Sequence, residues 1–206
     1  MVRLLKLNSK QVSLLGLLTI ICLSLELKSL NNLPNMVWLR PLEWIGSLWV
    51  YILTAIFYLT SIGLVLPTKK NSPFKEQGLY DFLLASVLPL LFTLSLGALY
   101  LLKILLGRGG PAENSLFFVR EVGLFPSGHT FTGLLSLTLL YNALFNLIKK
   151  ERVIRFSGLG CFLIFSALVT SLFLSGDHYM SDILSSVTLY FLLINLLNLK
   201  YKVRDL

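Results

Sequence analysis

The chain is poor in the residues that bind metals or cross-link a fold. Two cysteines and two histidines occur in 206 residues. Cys22 and Cys161 each lie inside an apolar run, which excludes a disulfide framework and a thiolate metal site and leaves both as small buried hydrophobes. Two histidines without a histidine–glutamate helix motif leave a zinc ion short of ligands, so no metal and no cofactor is expected. Charge is scarce as well. Asp, Glu, Lys and Arg make up 14% of the chain against 55% hydrophobic residues, and the mean hydropathy is +0.78. That balance excludes an ordinary soluble fold and points to an all-α, integral membrane protein whose single domain spans residues 1–206. The formal net charge of +8 does not indicate a nucleic-acid partner, because the basic residues are scattered between apolar runs and form no stripe. There is no internal repeat, and no low-complexity segment beyond the apolar runs themselves.

What the sequence has in quantity is apolar runs of bilayer length. Arg3, Lys6 and Lys10 precede the stretch Val12 to Leu25, which has the outline of a signal peptide. No small-residue cleavage site follows, so a retained first helix over about 11–27 is expected. Asn31 to Glu43, with Pro34, Trp38, Arg40 and Pro41, reads as a connector at headgroup level, where aromatic rings anchor. Further helices are predicted over about 44–66, 81–106, 130–148, 156–174 and 183–199, the third carrying Pro89 in its middle. The expectation is a polytopic bundle of six transmembrane helices.

The loop charges orient this bundle. Thirteen lysines and arginines fall on the side that holds both termini, and five (Lys28, Arg40, Lys103, Arg108 and Arg120) fall on the other. The positive-inside rule then makes the N- and C-termini cytoplasmic. Both histidine segments face outward, at one rim.

Those segments, Pro126-Ser127-Gly128-His129 and Asp177-His178-Tyr179-Met180-Ser181-Asp182, each sit at the end of a long apolar run. Packing does not account for that placement. Histidine titrates near neutrality, so two converging on one site can divide nucleophilic and acid–base work. Asp182 lies one helical turn beyond His178, where its carboxylate can reach back to the imidazole, fix its tautomer and stabilise its cation. Gly128 lets the backbone pass close to a ligand, and its place ahead of a helical run aims N–H groups at an anion. Each residue also has a plainer reading: Lys103 as a snorkelling lysine, Ser127 and Asp182 as helix caps, Arg108 as a surface contact to lipid phosphates.

Lys103-x-x-x-Gly107-Arg108, then Pro126-Ser127-Gly128-His129, then Ser171 followed by His178-x-x-x-Asp182, together resemble the three-part signature of the type 2 phosphatidic acid phosphatase superfamily. The resemblance implies a membrane-embedded hydrolase of lipid metabolism, a lipid phosphatase working through a phosphohistidine. In that scheme His178 attacks phosphorus with Asp182 holding its ring, and His129 protonates the leaving oxygen. Lys103, Arg108, Ser127 and the Gly128 N–H surround the phosphate oxygens. The expected partners are a lipid phosphate and the bilayer, and the expected place is a bacterial inner (plasma) membrane with the site facing the periplasm or exterior. The activity so implied is metal-independent cleavage of a lipid phosphoester, releasing phosphate at the outer face.

Two departures qualify the match. Gly110 and Leu172 stand where the family's pattern has arginine, which weakens the case for a dianionic monoester more than for a diester. On this ground restoring a guanidinium by Leu172→Arg is expected to raise activity on monoesters. The stretch Asp177-His178-Tyr179-x-x-Asp182 is also similar to the last motif of sphingomyelin synthases, which implies headgroup phosphotransferase or phosphodiesterase activity as the alternative. Arg120 is available to replace one lost cation. An inactive lipid-binding member has little need for the intact His129, His178 and Asp182. A transporter would place ionisable residues at mid-span, whereas here the polar groups gather at the outer ends.

Overall fold

In a computed structural model of the chain the described residues are 37–65, 75–106, 125–148 and 150–202, with Gln11, Leu14, Gly16, Leu17, Leu18 and Ile21 before them. These six early positions are helical, and the rest of the expected first helix lies outside the described residues. After them come a 3-10 segment, Val37–Gly46, called here the strap, and five α-helices: α1 (Leu48–Val65), α2 (Lys75–Leu106), α3 (Gly128–Leu147), α4 (Glu151–Leu174) and α5 (Met180–Lys202). No strand occurs among the described residues. All five helices carry a window long and apolar enough to cross a membrane. The chain is a polytopic helical membrane protein.

Most helices extend beyond the apolar runs that announced them. α3 begins at Gly128 and not at Thr130, α4 at Glu151 and not at Phe156, and α5 at Met180 and not at Ile183. Hydropathy registers depth in hydrocarbon, whereas a helix continues into its polar first turn for as long as its N–H groups find partners. Ser127 caps α3, its Oγ accepting the Thr130 N–H at 3.3 Å. Glu151 opens α4 and pairs with Arg155 one turn on at 2.7 Å. The opposite correction applies to α1. The helix expected from Trp44 starts only at Leu48, because Trp44, Ile45 and Gly46 belong to the strap, and Ser47 caps the new helix by accepting the Val50 N–H at 3.4 Å.

The helix α3 is the hub and the most enclosed of the five spans. It touches every other α-helix and the strap. Leu135, Leu139 and Ala143 on α3 are fully buried and pack in one cluster with Tyr51 and Tyr58 of α1, Leu88 and Phe92 of α2, and Tyr190 and Ile194 of α5. Several polar groups inside this hydrocarbon are paired across helices, as lipid surroundings favour. The Tyr51 hydroxyl donates to the Pro89 carbonyl at 2.8 Å, where Thr93 Oγ1 also donates, and Tyr190 bonds Thr138. Pro89 sits inside α2, and its carbonyl accepts both hydroxyls. Leu94, Leu101 and Leu105 of α2 and Phe156, Phe162 and Leu163 of α4 point outward, an apolar exterior suited to acyl chains.

The topology brings the C-terminal ends of α2 and α4 and the N-terminal ends of α1, α3 and α5 to one end of the bundle. The strap lies across that end against α3 and α4. Trp38 and Trp44 on the strap and Trp49 at the start of α1 are about 70% exposed there, as headgroup anchors would be.

Candidate active site

The two histidine segments are joined through their backbones before any side chain is considered. The Ser127 N–H donates to the Asp182 carbonyl at 3.0 Å. The Ser186 hydroxyl bridges the Ser127 carbonyl (2.8 Å) and the Asp182 carbonyl (2.9 Å). The first turn of α3 is thus fixed against the first turn of α5, and two helix N-termini, each with a partial positive charge, meet at one spot.

His178 enters from the turn between α4 and α5. Gly176, at φ +74°, takes the left-handed conformation that ends α4, and the His178 N–H then donates back to the Leu172 carbonyl at 3.2 Å. The His178 side chain is 4% exposed, and its Nδ1 lies 3.6 Å from Asp182 Oδ2. That oxygen also accepts the Tyr179 N–H at 3.0 Å, which aims the carboxylate at the ring. A closing shift of a few tenths of an ångström makes the Nδ1–H to Oδ2 hydrogen bond, the sort of tightening that catalytic contacts undergo on binding substrate. His129, in the first turn of α3, is exposed, and its ring centroid is 6.3 Å from that of His178. The two rings stand within reach of one tetrahedral group.

Lys103, near the end of α2, comes to the same place. A Cβ built on Gly128 would lie 3.3 Å from Lys103 Nζ, so the glycine gives the ammonium its seat on the α3 N-terminus. Ser127 is wholly buried, and its Oγ accepts from both Thr130 N and Thr130 Oγ1 (2.9 Å). The helix-cap role is therefore present, and what Ser127 retains for an anion is its own O–H. Arg108, Gly110 and Arg120 lie outside the described residues.

Leu172, the one of the two departures that lies among the described residues, is fully buried with Leu168 and Ile183. A guanidinium there would stand unpaired in hydrocarbon, and the expected gain from Leu172→Arg is withdrawn on that ground. Ser171 beside it has a different task from any contact with substrate: its hydroxyl donates to the Leu39 carbonyl of the strap at 2.8 Å.

The strap supplies the residues that sequence reasoning missed. Arg40 grips Asp177 with Nε to Oδ2 at 3.3 Å and Nη2 to Oδ1 at 3.2 Å. Asp177, expected to add negative charge beside the nucleophile, is thus matched by a cation from 137 residues earlier. Glu43 stands beside Asp177 and Ser175 with its Oε1 buried, and burial, followed by the Asp177 carboxylate, pushes it up to about 7. Gly46 packs directly on His129, where a Cβ would fall 2.3 Å from the His129 carbonyl oxygen. The available signal was an arginine and a glutamate among tryptophans on the side where charge is otherwise sparse.

No curated protein and no solved structure matches the chain. The sequence pattern of one family does, over residues 86–204, which takes in Lys103, Ser127, Gly128, His129, Ser171, His178 and Asp182 and leaves the strap outside. With more than half its length matched, and with the paired histidines at adjoining helix ends, the chain belongs to the PAP2 superfamily.

Proposed function

We propose that the protein cleaves the phosphoester of a lipid phosphate, a phosphatase reaction of the general kind that PAP2 membership implies, through a covalent phosphohistidine. The observation that carries this reading is the buried His178–Asp182 pair beside the exposed His129, at 3.6 Å and 6.3 Å respectively, next to two helix N-termini. His178 Nε2 attacks phosphorus while Asp182 accepts the Nδ1 proton in a hydrogen bond and stabilises the ring's developing charge. The bond from phosphorus to the lipid oxygen breaks as His129 gives that oxygen a proton. His129, now neutral, takes a proton from water, whose oxygen attacks phosphorus. The P–N bond breaks, and phosphate leaves with His178 regenerated. Lys103 and the N–H groups at Gly128 and His129 bear the charge on the non-bridging oxygens throughout. Arg108 is proposed as a second cation there and Ser127 as an O–H donor.

The substrate reading follows from surroundings. The site lies at the bundle end that carries the exposed tryptophans, so a lipid whose anionic head sits at headgroup depth can enter from the side with its chains still in the bilayer. The charge bias of the loops supports an outer-face position for this end. Leu172, sealed in hydrocarbon where the family's pattern has arginine, supports headgroup transfer from a phosphodiester as the second reading, because a monoanion needs fewer cations.

Purified protein in liposomes with a long-chain lipid phosphomonoester and a metal chelator provides the test. Wild type is expected to release phosphate and His178→Ala to release none. Release unaffected by that substitution rejects the phosphohistidine. A folded wild type that releases none favours transfer, to be tried with a phosphodiester lipid and a lipid alcohol acceptor.

A further inference from the structure

The strap's contacts with the site are polar, specific and drawn from sequence that precedes the matched region. Its three fastenings are the Ser171 hydroxyl on the Leu39 carbonyl, the Arg40–Asp177 pair, and Glu43 against Asp177 and Ser175. A fourth, steric contact sets Gly46 on the backbone of His129. Asp177 adjoins His178 in sequence and Gly46 touches His129, so one ten-residue segment bears on both histidines.

The electrostatics of that cluster are unusual for a protein surface. Among the described residues two carboxyl groups share one half-buried location with a single guanidinium, and Glu43 Oε1 is buried without a hydrogen-bond partner. With one proton on Glu43, the set Glu43–Asp177–Arg40 is electrically neutral, and the carboxylic acid donates to the carboxylate. With none, an uncompensated negative charge is left in a poorly solvated place.

We propose that Glu43 and Arg40 are positioning residues of the active site, holding the Asp177–His178 turn through a carboxyl–carboxylate hydrogen bond, so that the catalytic arrangement is complete with Glu43 protonated and slackens when it ionises. The proposal rests on the phosphohistidine reading for its effect on turnover; the latch itself rests on the buried, partnerless Glu43 Oε1 beside the Asp177 carboxylate that Arg40 holds, with the upward shift of Glu43 in support. Among the described residues the groups that face Glu43 are Arg40 on the strap itself and Asp177 and Ser175 from the α4–α5 turn, while His129 of α3 meets the strap at Gly46. α4 contributes the uncharged Ser171. Arg40 opposes the upward shift of Glu43, and Asp177 with burial outweighs it.

The direction of the pH dependence follows. Glu43 ionises near 4.5 when unfolded and near 7 in the fold. A raised carboxyl makes the folded state the better proton binder, so its contribution to stability is complete below about 4.5, declines as pH rises and is gone above about 7. Turnover that depends on the protonated form falls up to about tenfold per pH unit above that point. His129 as proton donor produces a limb of the same sign, so the pH profile of wild type alone does not separate the two. Glu43→Gln does, because its amide donates to Asp177 at every pH.

The experiment uses the full chain in liposomes, with wild type, Glu43→Gln and Asp177→Asn compared from pH 4 to 9. The readouts are the infrared band of protonated carboxyl groups, the thermal midpoint and phosphate release. A wild-type carboxyl that titrates near 7, is absent in Glu43→Gln and moves down in Asp177→Asn supports the latch. So does a Glu43→Gln variant whose stability relative to wild type grows as pH rises from 4.5 to 7, and whose turnover keeps only the limb due to His129. A Glu43 that titrates in the ordinary carboxylate range overturns the proposal. A Glu43→Gln profile superimposed on wild type overturns it equally. Should Glu43→Gln fail to fold, the shift in Asp177→Asn decides by the same criteria. Absence of phosphate release from every protein, with the infrared titration near 7 intact, leaves the latch standing and rejects the phosphatase reading instead.

Discussion

Asp182 combines three tasks in one side chain and its backbone. Its carbonyl accepts from Ser127, Ser185 and Ser186, its Oδ2 accepts from Tyr179, and the same oxygen faces His178 Nδ1. The backbone part, which joins the two motifs, survives any substitution of the side chain. Asp182→Asn is therefore expected to fold normally and to lose roughly 10²- to 10⁴-fold in turnover, since an amide neither fixes the imidazole tautomer nor balances its charge. Phosphate release and thermal midpoint measured on the same preparation check this, and near-normal release rejects the dyad. The spacing of His178 and Asp182 was legible because an i, i+4 pair meets on any helix. The pairing of Arg40 with Asp177 was not, because no local periodicity relates residues so far apart in the chain.

At the scale of elements, the strap is the part that sequence reading undervalued. Its residues look like an interfacial connector, and Trp38 and Trp44 do lie on its exposed side. The other side is bound to α3 and α4 by groups that a hydropathy profile averages away. Ser171 on α4 holds it through one partly buried hydrogen bond to Leu39. Ser171→Ala is expected to cost about 1 kcal/mol, with a lowered thermal midpoint and a several-fold drop in turnover as Gly46 loses its register on His129. A stability loss with unchanged turnover would separate the strap from the site. The helix starts at Gly128 and Met180 show the same limit of hydropathy, since each first turn is too polar to score as membrane yet is helical.

For the molecule as a whole, orientation is the property with consequences outside the bundle. All the site residues that the structure describes lie at the end with the strap, and the turn between α3 and α4 lies at the other. In a version lacking Cys22 and Cys161, a cysteine introduced by Trp38→Cys is expected to react with a membrane-impermeant thiol reagent on intact cells. One introduced by Arg152→Cys is expected to react only after permeabilisation. The reverse pattern would place the site on the cytoplasmic face and contradict the charge bias of the loops.

The sequence by itself determined that the chain is helical and spans the membrane, because hydrocarbon offers backbone groups no partner outside the helix, and run length is read residue by residue. It also singled out both histidines and the carboxylate as candidates, since each motif is local and its chemistry resides in residue type. Only the tertiary structure decided how the charges are shared out. It set Lys103 on Gly128, sealed Leu172 in hydrocarbon, spent the lone pairs of Ser127 on a helix cap, and brought Arg40 and Glu43 to Asp177. The physical reason is that charge interactions depend on distance and burial in space, and neither is encoded in the spacing of residues on separate helices.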